Sequence, residues 1–63
     1  ALDSRYADAY NNLGNAQAML GNNEEAIRSY RKALTINPSL ESTKKNLVII
    51  ESRIKGKGNG PLR

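Results

Sequence analysis

The feature that most constrains this chain is a self-similarity at a shift of 34 residues. It pairs Leu2 with Ile36, Asp3 with Asn37, Tyr6 with Leu40, Asn12 with Asn46, Leu13 with Leu47, Ala16 with Ile50 and Leu20 with Ile54. A period of this length belongs to a two-helix unit that cannot bury its own apolar face and therefore stacks on neighbours. In 63 residues there is room for one complete unit and the first helix of the next. A single core of this size rarely contributes more than about 3 to 5 kcal/mol, so some further support is expected. The chain has no cysteine and no histidine. That excludes disulfides and thiolate metal sites and removes the commonest metal ligand and general base. The remaining carboxylates, hydroxyls and lysines form no arrangement that would suffice for catalysis, so no catalytic residue, metal ligand or cofactor site is assigned. No apolar run approaches the roughly 20 residues needed to span a bilayer, and the start lacks the charged-then-apolar layout of a signal peptide, so a cytoplasmic location is expected. The opening Ala-Leu-Asp-Ser, without methionine, reads as the tail of a previous repeat, and the chain as the C-terminal piece of a longer array.

The pattern predicts three helices. The first runs from residue 5 or 6 to residue 20, with Tyr6, Tyr10, Leu13, Gln17 and Leu20 as its inward stripe and Ala9 and Ala16 as a small flank. Gly21 suits the left-handed position just past a helix end. Asn22 reads as the N-cap of the second helix, with Glu25 closing a capping box. That helix runs to about residue 36, buries Ala26, Ile27, Tyr30, Ala33 and Leu34, and pairs Glu24 with Arg28. Gly14, costing about 1 kcal/mol relative to alanine inside a helix, marks a close approach of two backbones, expected against Ala26. Pro38 stops the second helix and Ser39 caps a third, from about residue 40 to 54 or 55. Its Leu40, Thr43, Leu47, Ile50 and Ile54 should lie on the repeat before it, with Lys44, Lys45, Ser52, Arg53 and Lys55 toward water. Gly56, Gly58, Gly60 and Pro61 cannot form another second helix.

The net charge of +4 is unevenly placed. Residues 1–43 carry Arg5, Arg28, Arg31 and Lys32 against Asp3, Asp8, Glu24, Glu25 and Glu41, a balance of −1. Residues 44–63 carry Lys44, Lys45, Arg53, Lys55, Lys57 and Arg63 against Glu51, a balance of +5. A basic end attracts nucleic acid or an anionic membrane. The charges are few and no aromatic residue interleaves with them to stack on bases, so a solvated terminus is the favoured reading and nucleic acid or membrane a minor one.

Counting Ala7 as position one, Tyr10 falls at four, Leu13 and Gly14 at seven and eight, Ala26 at twenty, Tyr30 at twenty-four, Ala33 at twenty-seven and Pro38 at thirty-two. On these residues the chain resembles the tetratricopeptide repeat family. The resemblance implies an all-α fold, an antiparallel helix-turn-helix unit followed by a C-terminal capping helix. It divides the chain into 1–6, the end of a preceding repeat and start of the first helix; 7–40, the repeat; 41–55, the capping helix; and 56–63, a disordered basic tail. It implies a non-catalytic protein-interaction scaffold that holds a peptide or protein segment in a concave groove lined by the first helices. In the family register the groove face carries Asp8, Asn12, Asn15 and Met19, with Asn11 and Ala18 beside them, and Ser42, Lys45, Asn46 and Ile49 from the capping helix. Asn12 and Asn46, one repeat apart, resemble the asparagine ladder of the O-linked N-acetylglucosamine transferase superhelix, where amides pair with a peptide's backbone. The segment Glu-Ser-Thr-Lys-Lys-Asn-Leu (41–47) is similar to the cap helix of the small glutamine-rich co-chaperones. Their clamp for chaperone carboxylate termini uses a lysine and an arginine where this chain has Asp8 and Asn12, and a carboxylate there repels such a terminus. Lys45 either lends the groove cationic character or pairs with Glu41. Two further expectations follow: a purely structural stacking role beside neighbouring repeats, including in the arm of an enzyme, and homo-oligomerisation of the isolated chain through its uncovered apolar ends.

Overall fold

Three helices follow one another, α1 (Ser4–Met19), α2 (Asn23–Ile36) and α3 (Glu41–Asn59). The computed structural model describes the backbone of residues 4–59 and the side chains of residues 4–55. Among these residues every regular element is a helix, and the fold is all-α, a helix hairpin with a third helix packed on it. Leu2 and Asp3, the expected end of a preceding repeat, lie outside the described residues, as do residues 60–63 of the expected tail.

The hairpin turn is set by Gly21. Its φ of +84° is the left-handed conformation that glycine adopts without steric cost. The Gly21 N–H donates to the Ala18 carbonyl at 3.1 Å and the Asn22 N–H to the Gln17 carbonyl at 2.8 Å, the bond pair of a Schellman C-cap. Because Asn22 is held by that bond with ψ at 69°, outside the extended region where a capping side chain works, its amide makes no cap bond. Only its carbonyl opens α2, accepting the Ala26 N–H at 3.0 Å. The expected capping box is therefore absent, and Glu25 instead pairs with Arg28 at 3.6 Å, in place of the expected Glu24 pair. At the next turn the Ser39 N–H donates to the Asn37 side-chain oxygen at 3.1 Å, and because α3 starts at Glu41, Ser39 lies one residue before the cap position. Leu40 stands at that cap position, its carbonyl accepting the Lys44 N–H at 3.1 Å.

The core joins Ala26 and Tyr30 of α2 to Ile50 of α3, with Ala18, Ile27 and Leu47 partly buried against them. Ala7, Ala33 and Thr43 are fully buried nearby. On α1 the inward face is not the expected stripe. Ala7 and Gly14 are buried and Asn11, Ala18, Tyr10 and Gln17 half-buried, whereas Ala9 and Ala16 are exposed. Tyr6, Leu13 and Leu20 are 60%, 46% and 76% exposed. Small residues face α2 because the two helices run close. A Cβ on Gly14 would lie 2.6 Å from Cε1 of Tyr30, so the close approach is of α1 to the Tyr30 ring rather than to Ala26. The larger apolar residues of α1, Tyr6, Leu13 and Leu20, occupy the positions equivalent to Leu40, Leu47 and Ile54, the first of these just before α3. Those three are half-buried, and α3 packs chiefly on α2 and only slightly on α1. The large apolar members of the stripe read from the sequence thus stay exposed among the described residues.

Helix α3 continues to Asn59, beyond the expected end at residue 54 or 55, and residues 56–59, assigned to a disordered tail, are helical. Glycine weakens a helix by about 1 kcal/mol but does not block it, and no proline lies between residues 41 and 59.

Candidate interaction groove

Between α1 and α3 lies a concavity of about 340 Å³, lined by Asn15, Ala18 and Met19 of α1, Tyr30 of α2, and Asn46, Ile49, Ile50 and Arg53 of α3. Its floor is apolar, formed by the buried Tyr30 and Ile50. Met19, 86% exposed, and Ile49, 51% exposed, stand up at its edges.

One amide organises the polar part. The side-chain oxygen of Asn15 accepts the Tyr30 hydroxyl at 2.7 Å and the Asn46 amide at 3.1 Å, tying all three helices together. A single carbonyl oxygen has two lone pairs, so both bonds are satisfied at once and neither uses the Asn15 NH₂. Burial raises the Tyr30 phenol above its ordinary pKa of 10.0, while the positive charge of Arg53 pulls the other way. The hydroxyl is therefore a neutral donor at physiological pH. Arg53 has no ion pair among the described residues and is the cation of the groove.

Of the residues placed on or beside the groove face from the sequence, Asn15, Ala18, Met19, Asn46 and Ile49 come together here. Asp8, Asn12 and Lys45 are exposed and do not line the concavity, and Asn11 accepts the Thr43 hydroxyl at 2.7 Å, an internal strut between α1 and α3. Asn12 and Asn46 do not form a matched ladder, because Asn46 donates to Asn15 while Asn12 stands in solvent. Glu41 holds Lys44, at 3.4 Å, and not Lys45. Tyr30 and Ile50 were assigned only to the core and Arg53 to water, yet all three line the site. The signal for Arg53 was present: it lies 34 residues after Met19, so the shift that put Ser42, Lys45, Asn46 and Ile49 on this face also applies to it.

The model of the family described as tetratricopeptide repeat matches residues 7–40, the stretch that holds α1 from Ala7 onward, its turn and α2. The chain belongs to the tetratricopeptide repeat family. Repeats of this family are helical units that serve as protein-interaction scaffolds. The chain is also similar to small glutamine-rich tetratricopeptide repeat-containing protein 2 of Mycosarcoma maydis, with 32% identity over 53 residues, 84% of this chain and 15% of that protein. It therefore spans 15% of the length of that relative. No solved structure matches it. Among the described residues no helix is long and apolar enough to cross a membrane.

Proposed function

We propose that this tetratricopeptide repeat is a non-catalytic module that binds a peptide or protein segment in the concavity between α1 and α3. The observation that carries the reading is the composition of that site: an apolar floor of Tyr30 and Ile50, exposed aliphatic edges at Met19 and Ile49, and the amides of Asn15 and Asn46 with the guanidinium of Arg53 in its lining. Such a surface suits a segment that inserts an apolar side chain and offers its backbone to Asn15 and Asn46. Asp8, Asn12 and Lys45 take part only if the segment extends beyond the concavity. The acidic Asp8, where a clamp for carboxylate termini needs a cation, argues against that ligand on this repeat. A cytoplasmic setting is part of the proposal.

The test uses peptides selected on the wild-type chain from a random library and then titrated by calorimetry. Asn46→Ala should weaken them by about 1 to 3 kcal/mol, since it leaves partner groups unpaired. Arg28→Ala, on the exposed side of α2, should change nothing. Equal losses for the two would place the ligand elsewhere. A second reading, a stacking role within a larger array, is favoured by the exposed Tyr6, Leu13 and Leu20, which form a ready surface for a preceding helix.

A further inference from the structure

By the 34-residue shift, Lys44, Lys45, Val48 and Ile49 of α3 stand where Tyr10, Asn11, Gly14 and Asn15 stand on α1. On α1 this is the face that receives a helix. Gly14 lies against the Tyr30 ring of α2, the Lys32 ammonium sits 5.5 Å from the Tyr10 ring centroid, and Asn15 takes the Tyr30 hydroxyl. On α3 the same face receives none of the described residues. Val48 is 60% exposed, and with Ile49, Lys44 and Lys45 it bounds a shallow depression of about 420 Å³. The local shape is that of a helix seat, and its chemistry has changed.

Two substitutions define the change. Val48 replaces the glycine that lets the Tyr30 ring approach, so an aromatic-bearing helix like α2 cannot sit as close; a small or short aliphatic side chain can. Lysines replace Tyr10 and Asn11, so cations flank the aliphatic pair. Lys45 has no ion pair among the described residues. Lys44 has only the exposed i,i+3 contact with Glu41 at 3.4 Å, a class of pair worth little and exchanged cheaply. The one carboxylate further along, Glu51, is turned to Arg31 of α2 at 3.2 Å and does not neutralise the face. These charges also disfavour a second copy as occupant. Antiparallel pairing centred on Val48 and Ile49 sets Lys44 of one copy opposite Arg53 of the other, and parallel pairing sets the lysines against each other.

We propose that the outer face of α3 docks an acidic amphipathic helix of a partner protein, with small or aliphatic side chains over Val48 and Ile49 and carboxylates over Lys44 and Lys45. This site is separate from the groove of the proposed function. Ile49 lies on the ridge between them and is left unchanged in the test.

The probe is a fluorescein-labelled synthetic helix of glutamate, alanine and leucine with the apolar residues on one face. Its controls are the same peptide with lysine for glutamate and vesicles of phosphatidylserine and phosphatidylcholine. Fluorescence anisotropy should show saturable binding of the acidic helix to the wild-type chain and none of the basic one. Val48→Ser and the double variant Lys44→Glu, Lys45→Glu should each weaken binding at least about tenfold, with far-UV helicity retained because all three side chains are exposed. Asn46→Ala should leave it unchanged, which separates this seat from the groove. The proposal is overturned if the acidic helix fails to bind, or if Val48→Ser leaves affinity intact, which would reduce the effect to attraction of a polyanion. It is likewise overturned if Asn46→Ala weakens binding equally, or if the vesicles bind through Val48 and the peptide does not.

Discussion

Tyr30 is the residue on which most of the structure converges. Its ring fills the space left by Gly14 and its hydroxyl bonds to Asn15; it also forms part of the groove floor. Alanine at position 14 would gain about 1 kcal/mol in helix propensity, but its Cβ would meet a buried ring tethered at its far end by the bond to Asn15. Gly14→Ala is therefore expected to destabilise the chain, by about 1 to 3 kcal/mol, the usual range for overpacking. A urea midpoint equal to or above that of wild type would show that the ring moves aside freely. The hydroxyl makes a second expectation. A phenol whose folded pKa lies above its unfolded value contributes stability that is whole below the ordinary value of 10.0 and is lost as pH rises through the folded value. The phenolate cannot donate to Asn15. As pH rises above 10.0, wild type should lose more stability than Tyr30→Phe, which at neutral pH is weaker by about 0.5 to 1.5 kcal/mol. Parallel pH profiles for the two would mean that Tyr30 does not ionise against the fold.

At the scale of the helices, the boundaries were set by backbone chemistry more than by side-chain caps. Gly21 and the bonds from residues 21 and 22 to the last turn of α1 fix both the end of that helix and the start of the next. Asn22 contributes its carbonyl and not its amide. An N-cap asparagine replaced by alanine ordinarily costs about 1 kcal/mol. Here Asn22→Ala should stay within about 0.5 kcal/mol of wild type, as read by thermal melts, and a full-sized loss would restore the capping box. Polar struts then hold the elements in register. Ser29 donates to Gln17 at 2.7 Å between α1 and α2, Thr43 to Asn11 at 2.7 Å between α1 and α3, and Arg31 pairs with Glu51 at 3.2 Å between α2 and α3. Each element pair thus has a directional contact beside its apolar one, which is how a chain this rich in alanine and asparagine fixes one arrangement with so few large core residues.

For the molecule as a whole, the decisive fact is which faces remain open. α3 covers α2, but the equivalent face of α1, with Tyr6, Leu13 and Leu20, has no described residue over it. In a repeat array that surface belongs to the second helix of a preceding unit. In the isolated chain a second copy can supply the cover, and symmetric dimers are the commonest outcome. The melting temperature should accordingly rise with protein concentration, and Leu13→Glu should abolish the rise while leaving the monomer folded, since Leu13 takes no part in the buried core. Sedimentation equilibrium showing a folded wild-type monomer from micromolar to millimolar concentration would refute this.

The 34-residue spacing, the breakers at Gly21 and Pro38 and the small residues at positions 7, 14, 26 and 33 were enough to determine three helices, their order and the family. These are local and periodic signals, and the conformations they select depend on little beyond neighbouring residues. What the sequence could not determine was which of several apolar stripes on α1 faces inward. Tyr6, Leu13 and Leu20 are the more hydrophobic set, and a pattern alone gives them the core. The tertiary structure gives it to Ala7, Gly14 and Ala18, because the Tyr30 ring needs the space that only small residues leave. The site divided in the same way. Asn15, Met19, Asn46 and Ile49 followed from register, whereas the bonding of Asn15 to both Tyr30 and Asn46 and the withdrawal of Asn11 to Thr43 depend on atoms brought within hydrogen-bond reach by packing. An amide has several possible partners in sequence, and only the fold puts two hydroxyls and a second amide close enough to choose among them.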